Sequence, residues 1–149
     1  MNSAETEQDW ATQRREAAKE RARMLEARKE AESAKAAKIV AAFLQVAANE
    51  GLESFPLRAK GYGGGSAKTA LRGWYLRTDE TVALDTQGKF YILTMSLSRR
   101  EKLFGAAPLP KPVPLTIGEG GRDGDIVPLR FALERLLPGW EARTTLPLV

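Results

Sequence analysis

The chain is expected to fold as an α+β domain: a long N-terminal helix packed by its C-terminal third on a small antiparallel β-meander, with two further short helices. Three observations predict this. Residues 7–50 contain neither glycine nor proline and are almost all good helix formers. Residues 69–95 carry three short apolar runs separated by turn signals. A Ser98/Glu101 capping pair and a Pro128-led stretch with Leu129, Ala132, Leu133 and Leu136 on one face mark the short helices.

The long helix should run for about 40 residues, or about 60 Å. As far as Lys35 its apolar positions are sparse: Trp10, Met24 and Leu25 stand among alanines. Trp10, Ala17, Met24 and Ala31 recur every seven residues without a matching second row, so a coiled-coil seam is incomplete. Opposite charges at i,i+3, such as Glu16/Lys19, Glu26/Lys29 and Glu32/Lys35, support a single helix instead. Residues 1–13 hold three acids and no base, whereas residues 14–38 hold nine bases and five acids. Two readings follow: a solvated charged helix, or a basic arm for nucleic acid or an acidic partner. A stripe of Trp10, Met24 and Leu25 also offers a contact for a partner helix. Beyond Lys35, the residues Ile39, Val40, Phe43, Leu44 and Ala47 recur as one buried face, and Gly51-Leu52 fits a left-handed helix stop with its hydrophobic follower. The expected organisation is therefore an exposed arm over 1–34, a compact domain over 35–140 and a surface tail over 141–149.

In the meander, the first strand holds Leu71, Trp74, Tyr75 and Leu76, the second Val82, Ala83 and Leu84, and the third Phe90, Tyr91, Ile92 and Leu93. Turns fall at Thr78-Asp79 and Gln87-Gly88. The third strand is apolar on both faces and so needs cover on both, for which the flanking helices are the candidates. Upstream, Gly61-Tyr62-Gly63-Gly64-Gly65-Ser66-Ala67-Lys68-Thr69 invites comparison with a phosphate-binding loop, but Tyr62 and Ala67 stand where that motif needs glycine, and a strand follows instead of a helix. A linker is the simplest expectation, with a hairpin or an anion-binding loop as alternatives. Four prolines between Ala106 and Leu115 predict a stiff extended connector. Asp123 and Asp125 sit in a glycine-rich turn without the remaining ligands of a calcium loop.

Composition narrows the chemistry. There are no cysteines and no histidines, which excludes disulfides, thiolate zinc sites and imidazole acid-base work. No paired carboxylates, activated lysine or serine elbow stands in a recognisable context, and no cofactor or metal is expected. An enzyme, as the weakest reading, would have to use Asp79, Asp85 or Asp123. No charged segment leading into an apolar one opens the chain, and no stretch reaches the roughly 20 apolar residues of a membrane span, so a cytoplasmic protein without membrane contact is expected.

The most suggestive cluster is basic and aromatic. Residues 54–78 contain no acid, yet hold Arg58, Lys60, Lys68, Arg72 and Arg77 with Tyr62, Trp74 and Tyr75. Lysine and arginine beside an exposed ring is the pattern of a nucleic-acid surface on a small sheet. The candidate contacts are Arg58, Lys60, Tyr62, Lys68, Arg72, Trp74 and Arg77, with Trp74 either stacking platform or core. The leading expectation is a non-enzymatic binding or adaptor module for nucleic acid. The alternative is an assembly component pairing or self-associating through its N-terminal helix. Trp74-Tyr75-Leu76 resembles the signature tripeptide of WYL domains, and the resemblance implies an Sm-like barrel that senses nucleic-acid ligands. It spans three residues of 149, lacks the preceding helix-turn-helix and is not adopted as an assignment.

Overall fold

The computed structural model describes residues 3–118 and 126–149. The chain has an α+β fold, and the expected meander is present within a larger sheet. Helix α1 spans Ser3–Glu50, and strands β1 (Phe55–Gly61), β2 (Ser66–Tyr75), β3 (Val82–Asp85), β4 (Phe90–Ile92) and β5 (Thr94–Met95) follow. After the sheet come α2 (Arg99–Phe104), β6 (Thr116–Ile117), β7 (Val127–Pro128), α3 (Leu129–Leu136) and α4 (Trp140–Arg143). Among the described residues no helix is long and apolar enough to cross a membrane.

Helix α1 ends as its sequence dictates. Gly51 adopts φ 65°, and the Leu52 N–H donates to the Ala47 carbonyl at 2.9 Å, which closes the last turn while Leu52 packs on the core. The helix has two characters. Residues 3–32 are exposed apart from a half-buried Ala11, whereas Ala36, Ile39, Val40, Ala42, Phe43, Val46 and Ala47 are buried. The proline connector runs beside the arm, and Pro112, Val113 and Pro114 face Glu26, Lys29 and Ser33 across a groove of about 730 Å³.

The sheet has the order β4-β3-β2-β1-β5, with all pairs antiparallel except β1 with β5. Its two outer strands are separated in sequence by Leu93 alone. The Leu93 N–H donates to the Thr81 carbonyl, and its own carbonyl accepts from the Lys60 N–H, both at 2.8 Å. The sheet therefore curls until its ends meet. This changes how the third strand of the meander is covered. Alternation puts Trp74, Leu76, Val82, Leu84 and Phe90 on the face that packs against α1, α3 and α4. The opposite face carries Ala83, Tyr91 and Leu93, buried with Leu57 and flanked by Leu71 and Tyr75. Among the described residues α1, α3 and α4 cover one face, and the curl of the sheet, completed by β1, covers the other.

The glycine run is not a linker. It is the turn of the β1–β2 hairpin, with Gly61 N–H donating to the Gly65 carbonyl at 3.0 Å and Gly64 N–H to the Gly61 carbonyl at 3.1 Å. A Cβ on Gly61 would stand 2.6 Å from the Gly64 carbonyl oxygen, so the turn excludes a side chain there. Downstream, the capping box forms as expected: Glu101 N–H donates to Ser98 Oγ at 3.1 Å, and Ser98 N–H to Glu101 Oε1 at 3.0 Å. Asp123 and Asp125, read as turn residues, lie outside the described residues.

The last residues do not trail. Trp140 is fully buried, Gln45 of α1 accepts from Thr144 Oγ1 and from the Thr145 N–H, and Arg143 pairs with Glu50 at 2.6 Å. Leu148 packs against the core. Lack of periodicity hid this because the segment is held by single contacts to α1.

Because the arm buries little apolar surface, a chain of residues 35–149 is expected to unfold cooperatively and to lose only ~1 kcal/mol of stability. A thermal melt checks this, and a broad melt would move the boundary of the folded unit towards the amino terminus.

Candidate nucleic-acid interface

The β1–β2 hairpin places the acid-free window in space. On β1, Leu57 and Ala59 are buried, so Arg58 and Lys60 point to the opposite face. Register pairs Arg58 with Lys68, Lys60 with Ser66 and Pro56 with Arg72. Paired residues share a face, so Arg58, Lys60, Lys68 and Arg72 lie on one side of the hairpin even though β2 carries an irregularity opposite Leu57. Thr69 stabilises that irregularity by donating from Oγ1 to the Leu57 carbonyl at 2.6 Å and accepting from the Leu71 N–H at 3.1 Å. Along β2 this side continues into Trp74, where α1 covers it. Helix α1 ends at Glu50, and among the described residues Arg58, Lys68 and Arg72 are exposed beyond its footprint.

The cationic groups are tethered to neutral partners. Arg58 donates to Ser66 Oγ at 3.0 Å, and Arg72 to the Ser54 carbonyl at 2.8 Å and Oγ at 3.3 Å. Lys60 Nζ donates to the Asp79 carbonyl at 2.6 Å. Among the described residues none of Arg58, Lys60, Lys68 and Arg72 forms an ion pair with a carboxylate. Lys60 thus lies beside Asp79, whereas Arg58, Lys68 and Arg72 are exposed and give the face its positive charge.

Two members of the expected set, Trp74 and Arg77, behave differently. Trp74 is not a stacking platform: it is 4% exposed, meets Phe43 edge-on at 5.7 Å and donates from Nε1 to the Glu53 carbonyl at 2.8 Å. It lies under α1 because Trp74 shares the helix-facing row with Leu84 and Phe90. Arg77 is largely covered, its side chain 13% exposed and paired at 3.2 Å in the β2–β3 turn to Asp79, whose carbonyl Lys60 also reaches. Tyr62 meets expectation as a surface ring, 77% exposed at the hairpin tip. Tyr75 is half-buried and its hydroxyl accepts from the Arg58 N–H at 2.9 Å, so it offers no free ring.

Sequence reading missed Lys102. A Cβ on Gly65 would stand 3.3 Å from Lys102 Nζ, so this amine lies against the hairpin tip and extends the basic surface from α2. The capping box locates α2 in the sequence, but nothing in the sequence says where the helix docks.

The carboxylates of the enzyme reading are engaged in turns. Asp79 accepts from the Thr81 N–H and hydroxyl at 3.1 and 2.7 Å. Burial alone would raise its carboxyl, but the Thr81 bonds and the Arg77 guanidinium outweigh that and hold it below the ordinary carboxylate value. A lowered native pKa stabilises the fold above the unfolded value, so this turn should weaken as acid titrates Asp79. Asp85 accepts from the Gln87 and Lys89 N–H groups and from the Tyr91 hydroxyl. Burial and that neighbouring carboxylate raise the Tyr91 phenol. Asp123 lies outside the described residues. The helix-contact candidates Trp10, Met24 and Leu25 are 62%, 63% and 52% exposed on the arm, about 21 Å apart from first to second.

Compared with known proteins, the chain matches no family model, no curated protein and no solved structure.

Proposed function

We propose that the chain is a non-enzymatic binding module that contacts nucleic acid through the exposed face of the β1–β2 hairpin and its glycine turn. Arg58, Lys60, Lys68 and Arg72 neutralise backbone phosphates, Lys102 adds to the field at the tip, and Tyr62 offers one ring to an unpaired base. The observation that carries this reading is the bare sheet face itself, where four basic side chains stand together without a carboxylate partner among the described residues. A surface of this kind gains affinity by releasing counterions and carries little sequence information. With Trp74 in the core and Tyr75 engaged, stacking is confined to Tyr62.

The test is a pair of charge-neutralised variants. Replacing Arg58, Lys60, Lys68 and Arg72 by Gln should weaken binding to oligonucleotides of any sequence and flatten the dependence of log K on log salt by about 0.9 for each lost duplex contact. Replacing Arg14, Arg15, Lys19 and Arg21 by Gln on the arm should change both less. The opposite ranking would move the interface to the arm and overturn this reading. Tyr62→Ala should cost ~1–3 kcal/mol on single strands and little on duplex, as fluorescence anisotropy with both probes would resolve.

A second reading, assembly through α1, is favoured by the exposed Trp10, Met24 and Leu25 stripe and is compatible with the first.

A further inference from the structure

The β1–β2 hairpin repeats its outward side chains at a fixed step. Alternation along a strand returns a side chain to the same face every second residue, about 7 Å apart. Register sets Arg72 level with Pro56, Lys68 level with Arg58 and Ser66 level with Lys60. Tyr62 stands one step further. The Lys60 N–H donates to the Leu93 carbonyl at 2.8 Å and the Tyr62 N–H to the Met95 carbonyl at 3.1 Å, so the ladder between β1 and β5 continues past Gly61 and keeps Tyr62 in phase with Arg58 and Lys60. Four levels therefore succeed one another over ~20 Å: Arg72, then Arg58 with Lys68, then Lys60, then the Tyr62 ring. The last level is open. Tyr62 is 77% exposed, and nothing stands within 4 Å of where a side chain would project from Gly63 or Gly64, so a flat group can reach the ring. Lys102 Nζ, against Gly65, places a further cation at the same tip. The other end is closed, because Trp74, next along this side of β2, is buried against Phe43 of α1.

Building on the nucleic-acid reading, we propose that this face takes a single-stranded segment of about four nucleotides, laid lengthwise along the hairpin with its end base stacked on Tyr62. A drawn-out strand gives each level its own nucleotide: the cations take phosphates, and the ring takes a base. Arg58, Lys68 and Arg72 are exposed for this, while Lys60, tethered to the Asp79 carbonyl, contributes least. A duplex fits worse for two reasons. Each of its strands advances only ~3.4 Å along the axis per phosphate while winding round it, so a straight row of cations soon parts from it. Its bases are also covered on both faces by stacked neighbours, which leaves none for Tyr62. Length follows from the same row. Since Trp74 closes one end and Tyr62 stands at the turn on the other, the row offers no fifth level.

A length series tests this on the full chain. Oligothymidylates of about two to twelve nucleotides, titrated at one low salt concentration, should gain at least about tenfold in affinity up to about four nucleotides and then level off, because longer strands add only overlapping copies of one site. A duplex of the longest length should bind at least about tenfold more weakly than the single strand of that length. Tyr62→Ala should remove most of that difference, whereas Tyr62→Phe, which keeps the ring face, should preserve it. Circular dichroism melts of both variants verify that this exposed position leaves the fold intact. A strand of about four nucleotides ending in 2-aminopurine reads the stacking itself, and its fluorescence should be quenched by the wild-type chain and not by Tyr62→Ala. Affinity still climbing steeply at the longest strand, duplex bound as tightly as single strand, or a single-strand preference that Tyr62→Ala leaves unchanged would each overturn the proposal while salt-dependent binding persists. Absence of salt-dependent binding to every probe would instead overturn the nucleic-acid reading, and this inference with it.

Discussion

Phe43→Ala is expected to lower the unfolding free energy by about 3–5 kcal/mol, the largest loss of any single truncation in α1. The ring is fully buried where the helix meets both the sheet and the C-terminal helices. Trp74 of β2 meets it edge-on at 5.7 Å and Trp140 of α4 at 5.8 Å, with interplanar angles of 89° and 87°. Edge-to-face geometry adds a directional preference to the burial. Removing the ring leaves a cavity that two large indoles, fixed by their own elements, fill poorly. Chemical denaturation should report a lower midpoint with an unchanged m-value. A loss under ~1 kcal/mol would mean that α1 does not anchor the domain as described.

Gly73→Ala is expected to be comparably severe for a different reason. At this position β2 lies between β1 and β3, pairing with Phe55 on one side and Asp85 on the other. A Cβ there would stand 2.0 Å from the Leu84 carbonyl oxygen and 2.6 Å from the Asp85 Cα. Both obstacles are backbone in the middle of the sheet, so relief requires parting the β2–β3 ladder. Overpacking of this kind costs ~3 kcal/mol or more, against a total stability of about 5–15 kcal/mol for a domain. The variant should express poorly or melt many degrees lower, whereas Gly63→Ala in the hairpin tip, where an added Cβ meets nothing within 4 Å, should be nearly neutral. Equal melting temperatures for the two would contradict the register given for β2.

Features governed by neighbours in sequence were legible in advance. The long helix, its Gly51 stop, the Ser98/Glu101 capping box and the three meander strands all rest on interactions over a few residues, and all appear as expected. Strand β1 was legible only as a short extended piece over Ser54 to Lys60, and β5 was not legible at all. Pro56 and the short Leu57-Arg58-Ala59-Lys60 alternation give β1 a weak signal, and β5 is two residues long. Their pairing depends on closure of the sheet, a long-range event that leaves no local trace. The same limit governs Trp74. A residue on a strand alternation is known to face one side, but which side a helix covers is decided by the tertiary fold. The basic residues were legible as a composition, and their sharing of one face follows from the Arg58–Lys68 register that β1 provides.

The role proposed for the exposed hairpin face is to hold phosphate backbones. Titration of the wild-type chain with labelled duplex and single-stranded oligonucleotides, at about 50 and 200 mM salt, tests it most directly. Both probes should bind at low salt, with affinity falling by roughly two to three orders of magnitude at the higher salt, as four to six phosphate contacts require. No measurable binding at low salt, or binding that salt leaves unchanged, would contradict it.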